Sequence, residues 1–175
     1  LPNEIELKLE LMREAAAKLI GSDLLAGDPA VFQQRSVYFD TPECRLSAAG
    51  FSLRIRQVGD RRIQTAKAIG FSAAGLFARP EWERDVDVDR PLLDDSTPIP
   101  MLLGIKVRDL APVFAVEIER RCWNIITDEA AIELVLDRGE VVAGERRTSI
   151  CEIELELKRG SGSSPRRIET QTSTN

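Results

Sequence analysis

The sequence predicts an α+β protein built mainly from one antiparallel β-sheet of about eight strands, strongly curved or closed on itself. Three observations predict it. Segments with apolar residues at every second position recur along most of the 175-residue chain. Hairpin-like turn signals separate them, and the helical crossovers that a parallel sheet requires are missing. With 43% hydrophobic and 30% charged residues, a chain of this length is one ordinary domain able to bury a core.

Residues 3–11 alternate strictly and read as a strand, and REAAAKLIGS (13–22) reads as a short alanine-rich helix stopped at Gly21. GDPAVFQQ suggests a loop or helical turn, with Asp28 before Pro29 as a start signal. RSVYFDTP (35–42) is a β-branched and aromatic strand ended by Pro42. FSLRIRQV (51–58) and RRIQTAKA (61–68) form a hairpin about Gly59-Asp60. Residues 69–78 read as a loop, 79–89 as a strand, and PLLDDSTPIP as a break before a weakly signalled helix around 99–110. Residues 113–126 and 132–145 read as strands, the latter turning at Arg138-Gly139, and 150–158 is the last strand. The expected domain is 1–159. GSGSSPRRIETQTSTN (160–175) reads as a disordered or foreign tail.

Composition removes several kinds of chemistry. The chain has no histidine, which excludes Ser-His-Asp and Cys-His nucleophile systems and imidazole metal sites. Cys44, Cys122 and Cys151 are scattered and odd in number, so they suggest free thiols rather than a zinc site or disulfide framework. The net charge of −5 argues against generic nucleic-acid binding. No apolar run approaches the ~18 residues of a membrane span, and no secretory signal opens the chain, so a cytoplasmic protein without a membrane partner is expected.

Residues two apart on a strand share a face. Sorted this way, Glu4, Glu6, Lys8 and Glu10 fall together on the first strand, and Arg54 with Arg56 on the third. Thr65 pairs with Lys67, Arg79 with Glu81 and Glu83, Glu133 with Asp137, and Glu152 with Glu154, Glu156 and Lys158. The plainer explanation is a solvated face. Against it, carboxylates cluster on the first, RPEWERDV and last strands, whereas a face built for solubility mixes the signs. Carboxylates ~7 Å apart along a strand and ~5 Å across strands repel one another. A divalent cation would offset that, and an all-oxygen donor set favours Mg²⁺ or Mn²⁺. Arginines and a lysine facing the same space would clamp phosphate oxygens.

EIELK (4–8) resembles the ExExK signature of the CYTH superfamily, the triphosphate tunnel metalloenzymes. The likeness continues in order through VYFDTPECRL (37–46), LRIR (53–56), TAK (65–67), RPEWE (79–83), PVFAVEIERRCW (112–123), IELVLDRGEVVAGE (132–145) and ICEIELEL (150–157). The last two stretches look most like bacterial inorganic triphosphatases. The resemblance implies an eight-stranded antiparallel β-barrel, a tunnel with its charges inside and a few flanking helices. It implies hydrolysis of a triphosphate with two Mg²⁺ or Mn²⁺ ions, inorganic tripolyphosphate first. A nucleoside or thiamine triphosphatase, a class IV adenylate cyclase or a non-catalytic polyphosphate sensor are the alternatives.

Carried over, the resemblance implies metal ligands at Glu4, Glu6, Glu81, Glu83, Asp137, Glu152 and Glu154, and substrate contacts at Lys8, Arg54, Arg56, Lys67, Arg79 and Arg120. Lys8, Lys67 and Glu6 are the catalytic candidates. Arg121 has the opposite strand parity to Arg120 and is the competing choice. Such triphosphatases often carry a CHAD domain after this one, and a helix near one tunnel mouth usually follows the last strand. The polar tail has no apolar stripe able to form that helix, so the sequence is expected to be a fragment.

Overall fold

A computed structural model describes residues 3–23, 25, 27–68, 71–73 and 76–159, with side chains described except at 3–4, 71–73, 76–79 and 159. The order of elements is β1 (Asn3–Glu10), α1 (Arg13–Ile20), β2 (Ala30–Asp40), α2 (Arg45–Ala48), β3 (Phe51–Val58), β4 (Arg61–Ala68), β5 (Phe71–Ala73), β6 (Leu76–Asp85), α3 (Ile99–Leu103), β7 (Ala111–Ile126), β8 (Ala131–Ala143) and β9 (Arg146–Arg159). The expected tail, 160–175, lies outside the described residues.

The sheet closes. Neighbours run β1-β9-β8-β7-β2-β3-β4-β6, and β6 pairs back to β1. Every pairing is antiparallel. The short β5 joins β6 at Phe71↔Ala78 just beyond the Lys67↔Glu81 pair of β4, so β4 and β5 together act as one staggered wall. The expected eight-stranded antiparallel barrel is therefore present, and closure removes the edges that an open sheet leaves unpaired.

Its apolar cores lie outside the barrel wall. Phe39, Leu53, Ile55 and Ala66, from β2 to β4, pack with Leu46 of α2, Ile99 of α3 and Ile105. Trp123, Leu134, Leu136, Cys151 and Ile153, from β7 to β9, pack with Ala16 of α1. These residues alternate with polar ones, so burying them outward turns the charged set inward. Trp82 and Trp123 both belong to these outer clusters, in keeping with packing roles.

Local chemistry fixes the covering helices. Buried Asp40 accepts backbone N–H bonds from Thr41 (2.7 Å), Leu46 (2.8 Å) and Ser47 (3.0 Å), so one carboxylate ends β2 and starts α2. That four-residue helix escaped the sequence reading because Pro42 and Cys44 obscure its start. Gly21 caps α1 as expected, donating its N–H to the Ala17 carbonyl. Buried Gln64 ties the segment after β6 to the outer wall through both the N–H and the carbonyl of Leu92.

Three expectations need correction. β2 begins at Ala30, so AVFQQ is strand rather than loop; its first residues pair only with β7, because β3 reaches no further than Gln34. Within the expected 69–78 loop lie β5 and the start of β6, short segments in which glycine and small residues mask the alternation. The hairpin turn is at Gly144, which has φ +61°, not at Arg138-Gly139.

Gly139 serves a different need. A Cβ there would stand 2.0 Å from the Glu117 carbonyl oxygen and 2.8 Å from Ile118 Cα, so β7 and β8 approach too closely for any side chain. Gly139→Ala must push these two strands apart. It is expected to destabilise the chain by about 2–3 kcal/mol, in the range of overpacked interiors, read as a lowered thermal midpoint.

Candidate functional site

Register assembles the site. On one side, Lys8 of β1 lies opposite Glu154 of β9, and its Nζ sits 2.6 Å from Glu152 and 2.9 Å from Glu154. Arg120 of β7 lies opposite Asp137 of β8 and donates to it through Nε (2.8 Å) and Nη2 (2.6 Å). The same Nη2 reaches Glu154 at 3.2 Å, so one carboxylate joins the two clusters.

The facing wall repeats the arrangement. Tyr38, Arg54, Thr65 and Glu83 are successive cross-strand neighbours on β2, β3, β4 and β6. Arg54 Nη1 donates to the Tyr38 hydroxyl (3.3 Å), and the Thr65 hydroxyl donates to Glu83 (2.9 Å). Lys67 stands 3.4 Å from Glu81. Lys158 bridges Glu133 (3.2 Å) and Glu156 (2.7 Å).

These groups enclose a polar cavity of about 280 Å³. Among its described side chains, Lys8, Arg54, Arg56, Lys67, Arg120 and Lys158 are cations, and Glu6, Glu81, Glu83, Glu133, Glu154 and Glu156 are carboxylates, six of each. Several of them are mutually paired, and Glu152 and Asp137, behind the lining, add two further carboxylates to Lys8 and Arg120. Two donors stand out: the buried Nε atoms of Arg54 and Arg56 have no hydrogen-bond partner. A buried guanidinium donor without an acceptor is costly, and an anion in the lumen would relieve that cost. A larger, open groove of about 680 Å³ lies on the outer face of β2, β7 and β8. Its charges include the Arg35–Glu117 pair (3.1 Å), and no unpartnered buried polar atom lines it.

Electrostatics hold the charges in place. Burial works to lower the Lys8 pKa, but Glu154 and Glu152 outweigh it and raise it, so the amine stays protonated. Burial likewise opposes ionisation of Glu154, yet Lys8 and Arg120 prevail and hold its pKa below the ordinary value. Burial pushes the Cys122 thiol up to about 11, so it remains protonated at neutral pH and is no thiolate ligand.

A model of the CYTH domain matches residues 2–174, essentially the whole chain. The chain belongs to the CYTH family. An inorganic triphosphatase of Haemophilus influenzae is 31% identical over 169 residues, which cover 90% of this CYTH chain and 46% of that relative. The chain therefore spans about half the length of the curated relative it matches. A Hippeastrum structure described as an adenylyl cyclase with a dominant triphosphatase activity superposes with a TM-score of 0.70 at 23% identity, over 89% of this chain and 80% of that one. A Bacillus halodurans structure described as an adenylate cyclase gives 0.60 at 22% identity, over 87% and 79%. Both likenesses are of fold.

Of the residues singled out in the sequence, Glu6, Lys8, Arg54, Arg56, Lys67, Glu81, Glu83, Arg120 and Glu154 line this CYTH lumen together. Glu152 stands behind Lys8, and Asp137 behind Arg120; neither lines the cavity. Arg121 pairs instead with Glu119, its neighbour on the same strand face (2.9 Å). The side chains of Glu4 and Arg79 lie outside those described, although the two residues are backbone partners across β1 and β6. Tyr38, Ser52, Thr65, Glu133, Glu156 and Lys158 line the lumen without having been picked as site residues. Strand parity already groups most of them with the chosen ones. Ser52 and Tyr38 needed the β2–β3 and β3–β4 registers.

All six described lumenal carboxylates offer hard oxygen donors, the chemistry of Mg²⁺ or Mn²⁺. Among the described residues no three of them converge as a ready-made metal site. Lys8, Lys67, Lys158 and Arg120 hold several of them apart.

The Glu154 shift sets an acid limit on stability. A carboxyl with a depressed folded pKa stabilises the fold above its unfolded value of 4.5, and that stabilisation is lost as pH falls through the folded value. Thermal midpoints measured from pH 7 downward are expected to drop below pH 4.5. The drop should be shallower in Glu154→Gln; identical slopes would contradict the assignment.

Proposed function

We propose that this domain hydrolyses a triphosphate, inorganic tripolyphosphate first, to diphosphate and phosphate with a divalent cation. The observation that carries this reading is the pair of unpartnered buried Nε donors on Arg54 and Arg56, facing a small lumen lined mostly by charged side chains. Guanidinium groups match phosphate oxygens in geometry and charge. The relationship to an inorganic triphosphatase supports the same substrate class. Tyr38 is the one aromatic residue among the described lining, and one face of its ring already stacks on Phe114 at 4.5 Å, a sparse aromatic surface for a nucleobase.

The roles follow from position. Arg54, Arg56, Lys67 and Arg120 bind the phosphate chain and stabilise the charge that develops as the terminal phosphoryl group departs. Arg79 joins them by its place in the family motif. Thr65 orients Glu83 through its hydroxyl. Lys8, kept protonated by Glu152 and Glu154, serves as a charged donor to phosphate or water and not as a base. Glu4, Glu6, Glu81, Glu83, Glu152 and Glu154 would hold one or two cations, which when bound neutralise phosphate charge and acidify water.

The paired lysines also argue for a metal. A bare triphosphate would bring several uncompensated negative charges into a cavity where Lys8, Lys67 and Arg120 are already paired. Cations entering with it restore the balance and occupy the carboxylates that Lys8, Lys67 and Arg120 give up.

The decisive measurement is phosphate release from tripolyphosphate, ATP and thiamine triphosphate, each with Mg²⁺ or Mn²⁺. Tripolyphosphate is expected to be cleaved fastest, with no turnover in chelator. Arg54→Ala and Arg56→Ala should each lower kcat/KM about 10–100-fold, the worth of a charged hydrogen bond. Binding without product would mark a sensor, and cyclic AMP a cyclase.

Lys8 gives a second test. Its ammonium lies between the carboxylates of Glu152 and Glu154, where a cation would otherwise be attracted. Lys8→Met is therefore expected to tighten Mn²⁺ binding in the absence of substrate while lowering turnover. Weaker Mn²⁺ binding by calorimetry would overturn this role.

A further inference from the structure

We propose that Asp137 is a positioning residue that fixes the Arg120 guanidinium for the triphosphate, and is not a metal ligand. The inference rests on the triphosphatase reading and adds how one arginine of that site is held.

Asp137 is only 3% exposed and does not line the cavity, whereas Arg120 does. Both carboxylate oxygens are committed to the same partner: Oδ1 accepts from Arg120 Nε at 2.8 Å and Oδ2 from Nη2 at 2.6 Å. Two parallel hydrogen bonds fix the plane of a guanidinium as well as its position. They leave Nη1 as the one head-group nitrogen not held by Asp137. To meet a cation, Asp137 would have to abandon this fork and leave a buried guanidinium short of its counter-charge, an unfavourable exchange.

The other lumenal arginines show the contrast. Arg54 and Arg56 have Nε atoms with no partner, and the fixed contact of Arg54 is one hydroxyl, that of Tyr38. Among the described lumenal arginines, Arg120 is the one seated on a buried carboxylate. The backbone supports that seat. Asp137 and Arg120 are direct register partners, and Gly139, two residues on, permits the tight β7–β8 approach beside them. Glu154 takes a third bond from Arg120 but lines the lumen, so it remains available to a ligand while Asp137 does not.

The test compares Asp137→Asn, Arg120→Lys and the double variant with the unmutated chain. Readouts are kcat, KM for tripolyphosphate and Mn²⁺ affinity without substrate. Asp137→Asn is expected to raise KM about tenfold, one lost charged hydrogen bond, with Mn²⁺ affinity unchanged within about twofold. Adding it to Arg120→Lys should cost little more, because the two act as a unit. Weakening of Mn²⁺ binding by about tenfold, or fully additive losses, would overturn the proposal. If Asp137→Asn does not fold by circular dichroism, Arg120→Gln decides. Read in a Glu154→Gln background, so that the carboxylate Arg120 also releases cannot answer for the change, raised KM with unchanged Mn²⁺ affinity supports the proposal, and tighter Mn²⁺ binding by the released Asp137 sinks it. Should the unmutated chain release no phosphate, the triphosphatase reading fails by itself. The same comparison then proceeds on tripolyphosphate affinity measured calorimetrically.

Discussion

A closed barrel that turns its charges inward must neutralise them within the barrel. At 4 Å, two like charges in a partly shielded site repel by about 4 kcal/mol, so a handful left unpaired would outweigh the net stability of a typical domain. The lumen meets this constraint through register. Cross-strand neighbours place Lys8 against Glu154, Lys67 against Glu81 and Arg120 against Asp137, and where the register sets carboxylate against carboxylate, as at Glu133 and Glu156, Lys158 bridges them. A slip of one residue in any of these pairings would send the charged set into the outer apolar clusters. Ion pairing and strand register therefore specify each other.

The same constraint decides where the apolar cores lie. With polar side chains filling the lumen, the alternate residues need cover on the outside, and the chain provides it with short elements. Helix α1 covers β7–β9 through Ala16, while α2, α3 and the segment around Ile105 cover β2–β4. Asp40 joins the two tasks: its strand carries Tyr38 into the lumen, and its carboxylate starts the helix that seals the outer face. The wall is packed from outside and paired from inside.

Much of this was legible in the sequence because alternation is a two-residue signal that survives without context. EIELKLEL and ICEIELEL announced their strands and their shared carboxylate face, and parity put Arg120 and Arg121 on opposite faces without saying which one met the lumen. Signals that depend on a partner were harder to read. Gly139 and Gly144 look alike in DRGEVVAGE, yet one marks close strand approach and the other a turn, a difference set by Glu117 across the sheet. AVFQQ read as loop because its first residues pair on one side only. Asp137 shares lumenal parity with Glu133, but whether it meets the cavity or an arginine depends on Arg120, seventeen residues earlier. Parity assigns a face; it does not assign a partner.

Pairing in the lumen also shapes how a ligand must enter. Each existing ion pair in the lumen opposes the entry of a polyanion. Arg54 and Arg56 are the exception, since their Nε donors have no acceptor to give up. An anion reaching them satisfies two donors before any ion pair is broken. Lys67 and Lys8 follow only as Glu81, Glu152 and Glu154 find another cation. Arg120 need not move at all, because Asp137 holds it in either state. Under the proposed function, the existing contacts order the engagement: first the frustrated arginines, then the lysines as their carboxylates turn to a cation, with Arg120 held by Asp137 throughout.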